Sequence, residues 1–264
     1  MSAVRWTSGA VLVAIVLSAG PPTRADDAAA DLRANTWPDL RADAWRAAGT
    51  SVGAFAVTSV LLATWKNDHC RWCSAPEIDV KVRDALLWTH PKDAARASDV
   101  LVSVAIPVLA AGDAIRSTTS WTNAGLDALV VAESASLTGL TTLIAKNGFA
   151  RLRPGRPPTP GQASGMYQSF WSGHTSTAFA VAVSQAMQDT MRDDPAAPWV
   201  WAVGLTLATA VGYFRIAGDE HWFTDVVVGA AWGGAFGVGV PLLEKRLVHG
   251  VTLSPAPGGI AVRF

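Results

Sequence analysis

Apolar stretches separated by short polar segments dominate this chain. They cover residues 47–65, 100–112, 128–145, 175–188, 195–214 and 226–243. Apolar stretches of about 18 residues or more can cross a bilayer as helices, whereas shorter ones are as easily buried core helices. We expect the stretch 100–112 not to span, because it is short and contains Pro107. The pattern predicts an all-α fold, a helical bundle of about six core helices.

The N-terminal end of the chain resembles an export signal. It has a positive charge at Arg5, a short apolar stretch at 9–20, and a small-x-small cleavage site that ends at Ala25. Cleavage there would make Asp26 the first mature residue. The alternative is an uncleaved membrane anchor, although the apolar stretch is too short to span a bilayer comfortably.

Four segments are predicted along the chain. They are a signal peptide at 1–25, an amphipathic N-terminal segment at 26–48, a helical bundle at 49–247 with its motif core at 128–243, and an extended tail at 248–264. In the tail, turn residues replace the apolar pattern, and the residues from Ile260 to Phe264 are typical of a short strand or an extended end.

The composition favours a membrane-associated protein. Half of the residues are hydrophobic and 16% are charged, against about 25% charged in ordinary soluble domains. The mean hydropathy of +0.26 is only modestly positive, so we do not expect a chain made of membrane spans alone. A formal net charge of zero argues against a nucleic-acid partner bound through bulk charge.

The two cysteines, Cys70 and Cys73, form a C-x-x-C pair. A redox-active dithiol would need a βαβ pattern around it, and the sequence has none there. A zinc site that included His69 would have three ligands, one fewer than a structural zinc site requires. In an exported chain the pair is best explained as a local structural disulfide.

Polar residues suited to phosphate chemistry lie in three clusters. Each cluster adjoins an end of an apolar stretch, so a bundle can bring them together. The first consists of Lys146 and, after six intervening residues, Arg153-Pro154. The second is Ser172-Gly173-His174. The third consists of Arg215, then His221 after five intervening residues, then Asp225 after three more.

Five of these residues suit the binding of a phosphate ester. Its oxygens carry about two negative charges, which cations and hydrogen-bond donors must match. Lys146, Arg153 and Arg215 supply the cations. Ser172 and Gly173 precede a predicted helix, whose free N–H groups and positive dipole end would face an anion.

The other three residues suit the transfer itself. His221 and Asp225 are four residues apart, so on one helix they share a face, and the carboxylate can accept a hydrogen bond from one imidazole nitrogen. The other nitrogen can then attack phosphorus and form a phosphohistidine. His174 can protonate the departing oxygen and later activate water. This chemistry needs no metal and no cofactor.

Taken singly, the same residues are more often helix-end charges or structural histidines than catalytic groups. Their joint spacing favours catalysis, because several coincidences in one chain would otherwise be required.

This combination resembles the type 2 phosphatidic acid phosphatase and vanadium haloperoxidase superfamily. Its pattern is K-x6-R-P, then P-S-G-H, then S-R-x5-H-x3-D, and the resemblance covers about residues 128–243. It implies a helical bundle in which the phosphate contacts are Lys146, Arg153, Ser172, Gly173 and Arg215, the acid is His174, the nucleophile is His221 and its partner is Asp225.

The chain departs from this pattern at two positions. Trp171 stands where the family has proline, which removes a backbone restraint. Phe214 stands where the family has serine, which could remove one hydrogen bond near the phosphate.

The predicted function is a phosphatase acting on phosphomonoesters or pyrophosphates, with lipids favoured by the apolar stretches. Two alternatives remain. The export signal favours a soluble periplasmic acid phosphatase of broad specificity, and the shared pocket chemistry allows a vanadate-dependent haloperoxidase, which the short chain disfavours.

The expected location is the bacterial cell envelope, membrane-associated, with the site facing the periplasm. The number of membrane spans before Lys146 decides on which side of the membrane the site lies. A cleaved signal followed by three spans would leave Lys146 in the cytoplasm, whereas an even number of spans before Lys146 would place it outside.

Overall fold

The computed structural model describes residues 37–118, 120–155, 164–249, 252–256 and 259–263 of the chain. For residues 37–43, 164, 245–249 and the two strands it describes the backbone alone. The predicted signal peptide at 1–25 therefore lies outside the described residues.

Helices account for most of the described residues. In chain order they are α1 (Trp37–Thr64), α2 (Glu77–Leu86), α3 (Pro91–Val100), α4 (Ile106–Ser117), α5 (Trp121–Phe149), α6 (Gly173–Met191), α7 (Ala197–Ala217) and α8 (Phe223–His249). A π-helical turn, Leu101–Ala105, joins α3 to α4 without a break, and a 3₁₀ turn covers Ser164–Tyr167. An antiparallel hairpin follows, with β1 (Thr252–Ala256) paired to β2 (Gly259–Arg263).

The all-α bundle predicted from the apolar pattern is confirmed. Its long helices are α1, the continuous α3–α4 helix, α5, α6, α7 and α8. The stretch 100–112, expected to be too short to span, is the middle of the continuous helix Pro91–Ser117. Polar residues of α3 extend this helix beyond the apolar stretch, which is why hydropathy alone underestimated its length. Helix α1 runs through position 48, where the amphipathic segment was expected to end.

Alternating helix directions create two distinct ends of the bundle. Asn67, just after α1, donates from Nδ2 to the backbone oxygen of Asn147 in the last turn of α5, at 3.1 Å. At the same end, the backbone N–H of Ser172, before α6, donates to the oxygen of Asp225 in the first turn of α8. We call this the site end, and the opposite one the far end.

Helix α8 packs against α6 through a row of glycines. A Cβ atom built on Gly233 would lie 2.0 Å from the backbone oxygen of Ser176, and one on Gly229 would lie 2.8 Å from that of Ser172. Real Cβ atoms do not approach backbone this closely, so only glycine permits the observed separation of the two helices.

Five helices of the described part are long and apolar enough to cross a membrane. They are Ala44–Thr64, Pro91–Ser117, Trp121–Phe149, Ala197–Ala217 and Phe223–Glu244. Helix α6 is not among them. It lies between α5, α7 and α8, and most of its side chains are buried against these neighbours.

Gly233→Ala tests the contact between α6 and α8. The added methyl group must push the helices apart, so we expect the free energy of unfolding to fall by about 1–3 kcal/mol. The measurement is thermal unfolding of the detergent-solubilised protein. Gly234→Ala is the matched control, since a Cβ atom there has nothing within 4 Å. Equal melting temperatures for the two variants would contradict the packing argument.

Candidate active site

The structure brings all eight residues selected from the sequence to the site end. Three are helix-end or loop cations, three begin α6, and two lie at the start of α8. Lys146 lies in the last turn of α5 and Arg153 in the loop that follows. The start of α6 carries Ser172, Gly173 and His174. Arg215 lies in the last turn of α7, His221 lies two residues before α8, and Asp225 lies in the first turn of α8.

Ser172 caps the N-terminus of α6. Its Oγ accepts from the backbone N–H of Thr175 at 3.4 Å and from the Thr175 hydroxyl at 2.9 Å. Because Ser172 Oγ accepts in both contacts, its own proton can be donated to an anion. Gly173 lies beside Lys146, whose Cε would be 3.6 Å from an added Cβ. The helix N-terminus and the ammonium group therefore border the same space.

Glu220 links the two arginines of the site. Its Oε2 lies 2.6 Å from Arg153 Nη1 and 3.4 Å from Arg215 Nη2. Arg153 Nη1 also donates to the backbone oxygen of Glu220 at 3.1 Å. One carboxylate oxygen within reach of both guanidinium groups shows that a single anion can contact both.

His221 is enclosed among cations. Its side chain is 1% exposed. Burial, followed by the positive charges of Lys146, Arg153 and Arg215, lowers the pKa of His221 well below its ordinary value. A neutral imidazole at pH 7 has a lone pair available, which a nucleophile requires.

The predicted hydrogen bond between His221 and Asp225 is not formed in this structure. His221 Nδ1 lies 3.6 Å from Asp225 Oδ2 and has no hydrogen-bond partner among the described residues. That separation exceeds a hydrogen bond, although catalytic hydrogen bonds are often long before substrate binds. The carboxylate is instead fixed by Ser169 Oγ at 2.5 Å and by the backbone N–H of Trp222 at 3.0 Å.

Arg151 holds Asp225 from the other side, a role that sequence reasoning missed. The side chain is fully buried, and it contacts Asp225 Oδ1 at 2.5 Å and Asp79 Oδ2 at 2.6 Å. Its guanidinium lies 3.9 Å from the ring centroid of Trp72. Asp79 also accepts hydrogen bonds from the backbone N–H and the hydroxyl of Thr224, both at 2.8 Å. This carboxylate of α2 therefore caps the N-terminus of α8. Nothing in the spacing of Asp79 and Arg151 signals this contact.

His174 has a carboxylate partner that was also missed. Its Nε2 lies 2.8 Å from Asp99 Oδ1, and the same oxygen is 3.3 Å from Arg215 Nη1. Burial, followed by the charge of Arg215, lowers the pKa of His174 to about 4, and Asp99 opposes this shift.

The two departures from the family pattern pack against aromatic rings. Phe214 meets Trp88 edge-on at 5.6 Å and Tyr213 at 5.3 Å. Trp171 donates from Nε1 to Thr142 Oγ1 at 2.8 Å. Phe214 thus packs on the loop between α2 and α3, and the Trp171 ring packs on Trp232 of α8 at 4.8 Å.

The disulfide loop docks on the segment that carries Arg151. Cys70 and Cys73 are joined by a disulfide bond. The backbone N–H of Arg71 donates to the oxygen of Ala150 at 3.1 Å, and the N–H of Leu152 donates to the oxygen of Trp72 at 3.0 Å. The loop therefore belongs to the site end.

Fold and site together define a class of protein: a membrane-associated helical bundle with a basic pocket around a buried histidine at one end. The sequence profile of the PAP2 superfamily matches residues 127–248, a little under half of the chain.

Two individual proteins are similar to the chain. The lipid A 1-phosphatase of Porphyromonas gingivalis is 40% identical over 88 residues, which cover 33% of this chain and 17% of that protein. The crystal structure of a transmembrane PAP2-type phosphatidylglycerolphosphate phosphatase from Bacillus subtilis has 16% identity and a TM-score of 0.47, with 77% of this chain and 96% of that one covered.

Arg151→Met tests the buried ion pairs. It would leave Asp79 and Asp225 without their cation, so we expect a loss of about 3–5 kcal/mol in the free energy of unfolding. The measurement is thermal unfolding in detergent. Arg71→Met is the control, because Arg71 is exposed and its side chain donates to the backbone oxygen of Gly148; a change of about 0.5 kcal/mol or less is expected there. A similar small effect in Arg151→Met would refute the structural role given to this arginine.

Proposed function

We propose that this protein is a phosphatase that transfers the phosphoryl group of its substrate to His221 and then hydrolyses the phosphohistidine. The observation that carries the proposal is the convergence of three cations and a helix N-terminus on a buried imidazole with a lowered pKa. Such a pocket matches the charge of a phosphate ester and supplies a neutral nucleophile beside it.

The phosphate would lie between the N-terminus of α6 and the side chains of Lys146, Arg153 and Arg215. In the first step a nitrogen of His221 attacks phosphorus, the P–O bond to the leaving group breaks, and His174 gives its proton to the departing oxygen. The imidazolium that forms would close the 3.6 Å gap to Asp225, whose negative charge stabilises it. In the second step water attacks phosphorus, gives its proton to His174, and releases His221.

The cations of the chain would supply the charge that this reaction needs, so the proposed mechanism uses no metal. Two arginines can each bind phosphate oxygens through paired N–H groups, while the ammonium of Lys146 acts as a point charge. Glu220 Oε2 lies 2.6 Å from Arg153 Nη1 and 3.4 Å from Arg215 Nη2, which supports the proposal that one phosphate could contact both arginines.

We further propose a lipid phosphate ester or lipid pyrophosphate as the substrate. Lys146, Arg215 and Asp225 lie at the ends of three candidate spans, the level at which lipid headgroups would lie. Trp88 and Tyr213 are hydrogen-bonded to each other at this end, at 2.9 Å, and such amphipathic rings favour the headgroup level of a membrane. The similar lipid A 1-phosphatase acts, by its name, on a lipid phosphate.

The disulfide supports a periplasmic site. Disulfides persist in oxidising compartments and are rare in the cytosol. Because the Cys70–Cys73 loop lies at the site end, that end would face the periplasm.

This orientation constrains the start of the chain. Helix α1 ends at the site end, so Trp37 would lie on the cytoplasmic side if α1 crosses the membrane. A cleaved export signal would instead deliver residue 26 to the outside. The proposal therefore requires that residues 1–25 do not carry Trp37 across the membrane.

Histidine variants test the mechanism, with EDTA present throughout. His221→Ala should form no acid-labile phosphoenzyme, and turnover should fall by about 10⁴-fold, as when a nucleophile–base unit is broken. His174→Ala should still form phosphoenzyme from p-nitrophenyl phosphate, whose leaving group needs little protonation. On octyl phosphate it should lose about 10²–10⁴-fold.

His69→Ala is the control, because this histidine is exposed and its Nδ1 pairs with the neighbouring carboxylate of Asp68. Phosphoenzyme in His221→Ala would refute the nucleophile. A wild-type protein that is inactive in EDTA, and restored by a divalent ion, would refute the metal-free mechanism.

Thiol labelling tests the orientation. Lys81→Cys places a thiol on exposed α2 at the site end, and Pro195→Cys places one in the exposed turn before α7 at the far end. Both are made with Cys70 and Cys73 replaced by serine. In intact cells, a maleimide that crosses the outer but not the cytoplasmic membrane should label the first variant and spare the second. The opposite pattern would place the site in the cytoplasm.

A further inference from the structure

Asp99 stands at the end of α3 and contacts two residues of the candidate site. Its Oδ1 is 2.8 Å from His174 Nε2 and 3.3 Å from Arg215 Nη1. The side chain is about half exposed, at 47%, so it lies at the mouth of the pocket. No motif of the sequence includes it, because α3 precedes the PAP2 region.

The position of Asp99 is fixed by close packing of α3 on the end of α7. A Cβ atom on Gly218 would lie 2.9 Å from the backbone nitrogen of Ala95, so only glycine allows this approach. Ser98 is buried and accepts from Arg215 Nη1 at 3.2 Å. The π-helical turn begins two residues after Asp99. Such turns rotate the residues before them relative to those after, and they are frequent at functional sites.

Burial and two cations oppose the protonation of His174. Burial, then Arg215 from α7 and Lys146 from α5, lower its pKa, while Asp99 from α3 raises it through a hydrogen bond and through its charge. Glu220 lies on the other side of Arg215. His221 faces the same space from the loop before α8. An acid must hold a proton before it can protonate a leaving group, and neighbouring cations disfavour that proton.

We propose that Asp99 is a positioning residue for His174. The Asp99 carboxylate holds the imidazole through its Nε2 and offsets the charge of Arg215. His174 can then carry the proton that the leaving group takes. Asp99 itself stays ionised and transfers no proton. A bound phosphate dianion would act in the same direction, since it adds negative charge near the ring. This inference rests on the acid role given to His174 in the proposed function.

Asp99→Asn separates this role from a purely structural one. The parameter is kcat/KM, which reports substrate binding and the first transfer step but not the hydrolysis of the phosphohistidine. For octyl phosphate, whose alkoxide must be protonated, we expect a loss of about 10-fold or more at pH 7. For p-nitrophenyl phosphate we expect a change below about threefold, because that leaving group departs with little help.

The pH profile gives a second readout. His174 must be protonated for the first step, so kcat/KM for octyl phosphate falls as pH rises through the pKa of His174 in the free enzyme. Removal of Asp99 removes the group that raises this pKa. The falling limb should therefore move to lower pH in Asp99→Asn, and Asp99→Glu should restore it in part.

Asp93→Asn is the matched control, since Asp93 lies on the same helix and pairs with the exposed Arg96; it should behave as the wild type. Equal losses on both substrates in Asp99→Asn, as a damaged fold or lost phosphate binding would give, overturn the inference. So does an unchanged profile. If His174→Ala itself shows no dependence on the leaving group, the proposed function fails, and that result is distinct from a failure of Asp99 alone.

Discussion

The buried guanidinium of Arg151 joins parts of the chain that are far apart in sequence. Asp79 comes from α2, Asp225 from α8 and the Trp72 ring from the disulfide loop, and all three contact this one side chain. A charge without exposure to water must be matched by neighbours, so each partner has little freedom to move. The carboxylate beside His221 is therefore placed by a contact that does not involve histidine. The geometry around His221 therefore depends on this buried ion pair more than on the 3.6 Å contact between His221 Nδ1 and Asp225 Oδ2.

A second constraint brings the two halves of the site together. The glycines of α8 allow the backbone of α6 to approach, and the same contact places the N–H of Ser172 on the oxygen of Asp225. The capped N-terminus of α6 and the start of α8 thus act as one rigid unit. The cations around this unit repel one another, and the carboxylates of Glu220 and Asp99 contact Arg215 among them. These acidic groups offset the repulsion and keep the cations close together.

The residues selected from the sequence lie together at the site end because they occur in fixed local spacings. Lys146 and Arg153, or His221 and Asp225, are near neighbours in the chain, and helix geometry then fixes how they lie. Asp79, Asp99 and Arg151 were missed because their contacts join distant segments, and a single sequence gives no measure of such distances. The length of the α3–α4 helix was missed for a different reason. Its first turns are polar, and they face the site end rather than lipid.

The position of α6 lets this helix carry polar side chains inside a bundle whose described part has five candidate spans. This helix is enclosed by its neighbours, so its polar side chains meet protein groups and not lipid. Ser184 contacts Ser134 at 3.1 Å, Ser176 contacts Thr142 at 3.1 Å, and Gln185 donates to Asp113 at 2.9 Å. Such contacts satisfy polar groups within a membrane and join helices that have no hydrophobic reason to associate there. An enclosed α6 can therefore begin beside Lys146 at the site end, while the surrounding helices are apolar enough to meet lipid.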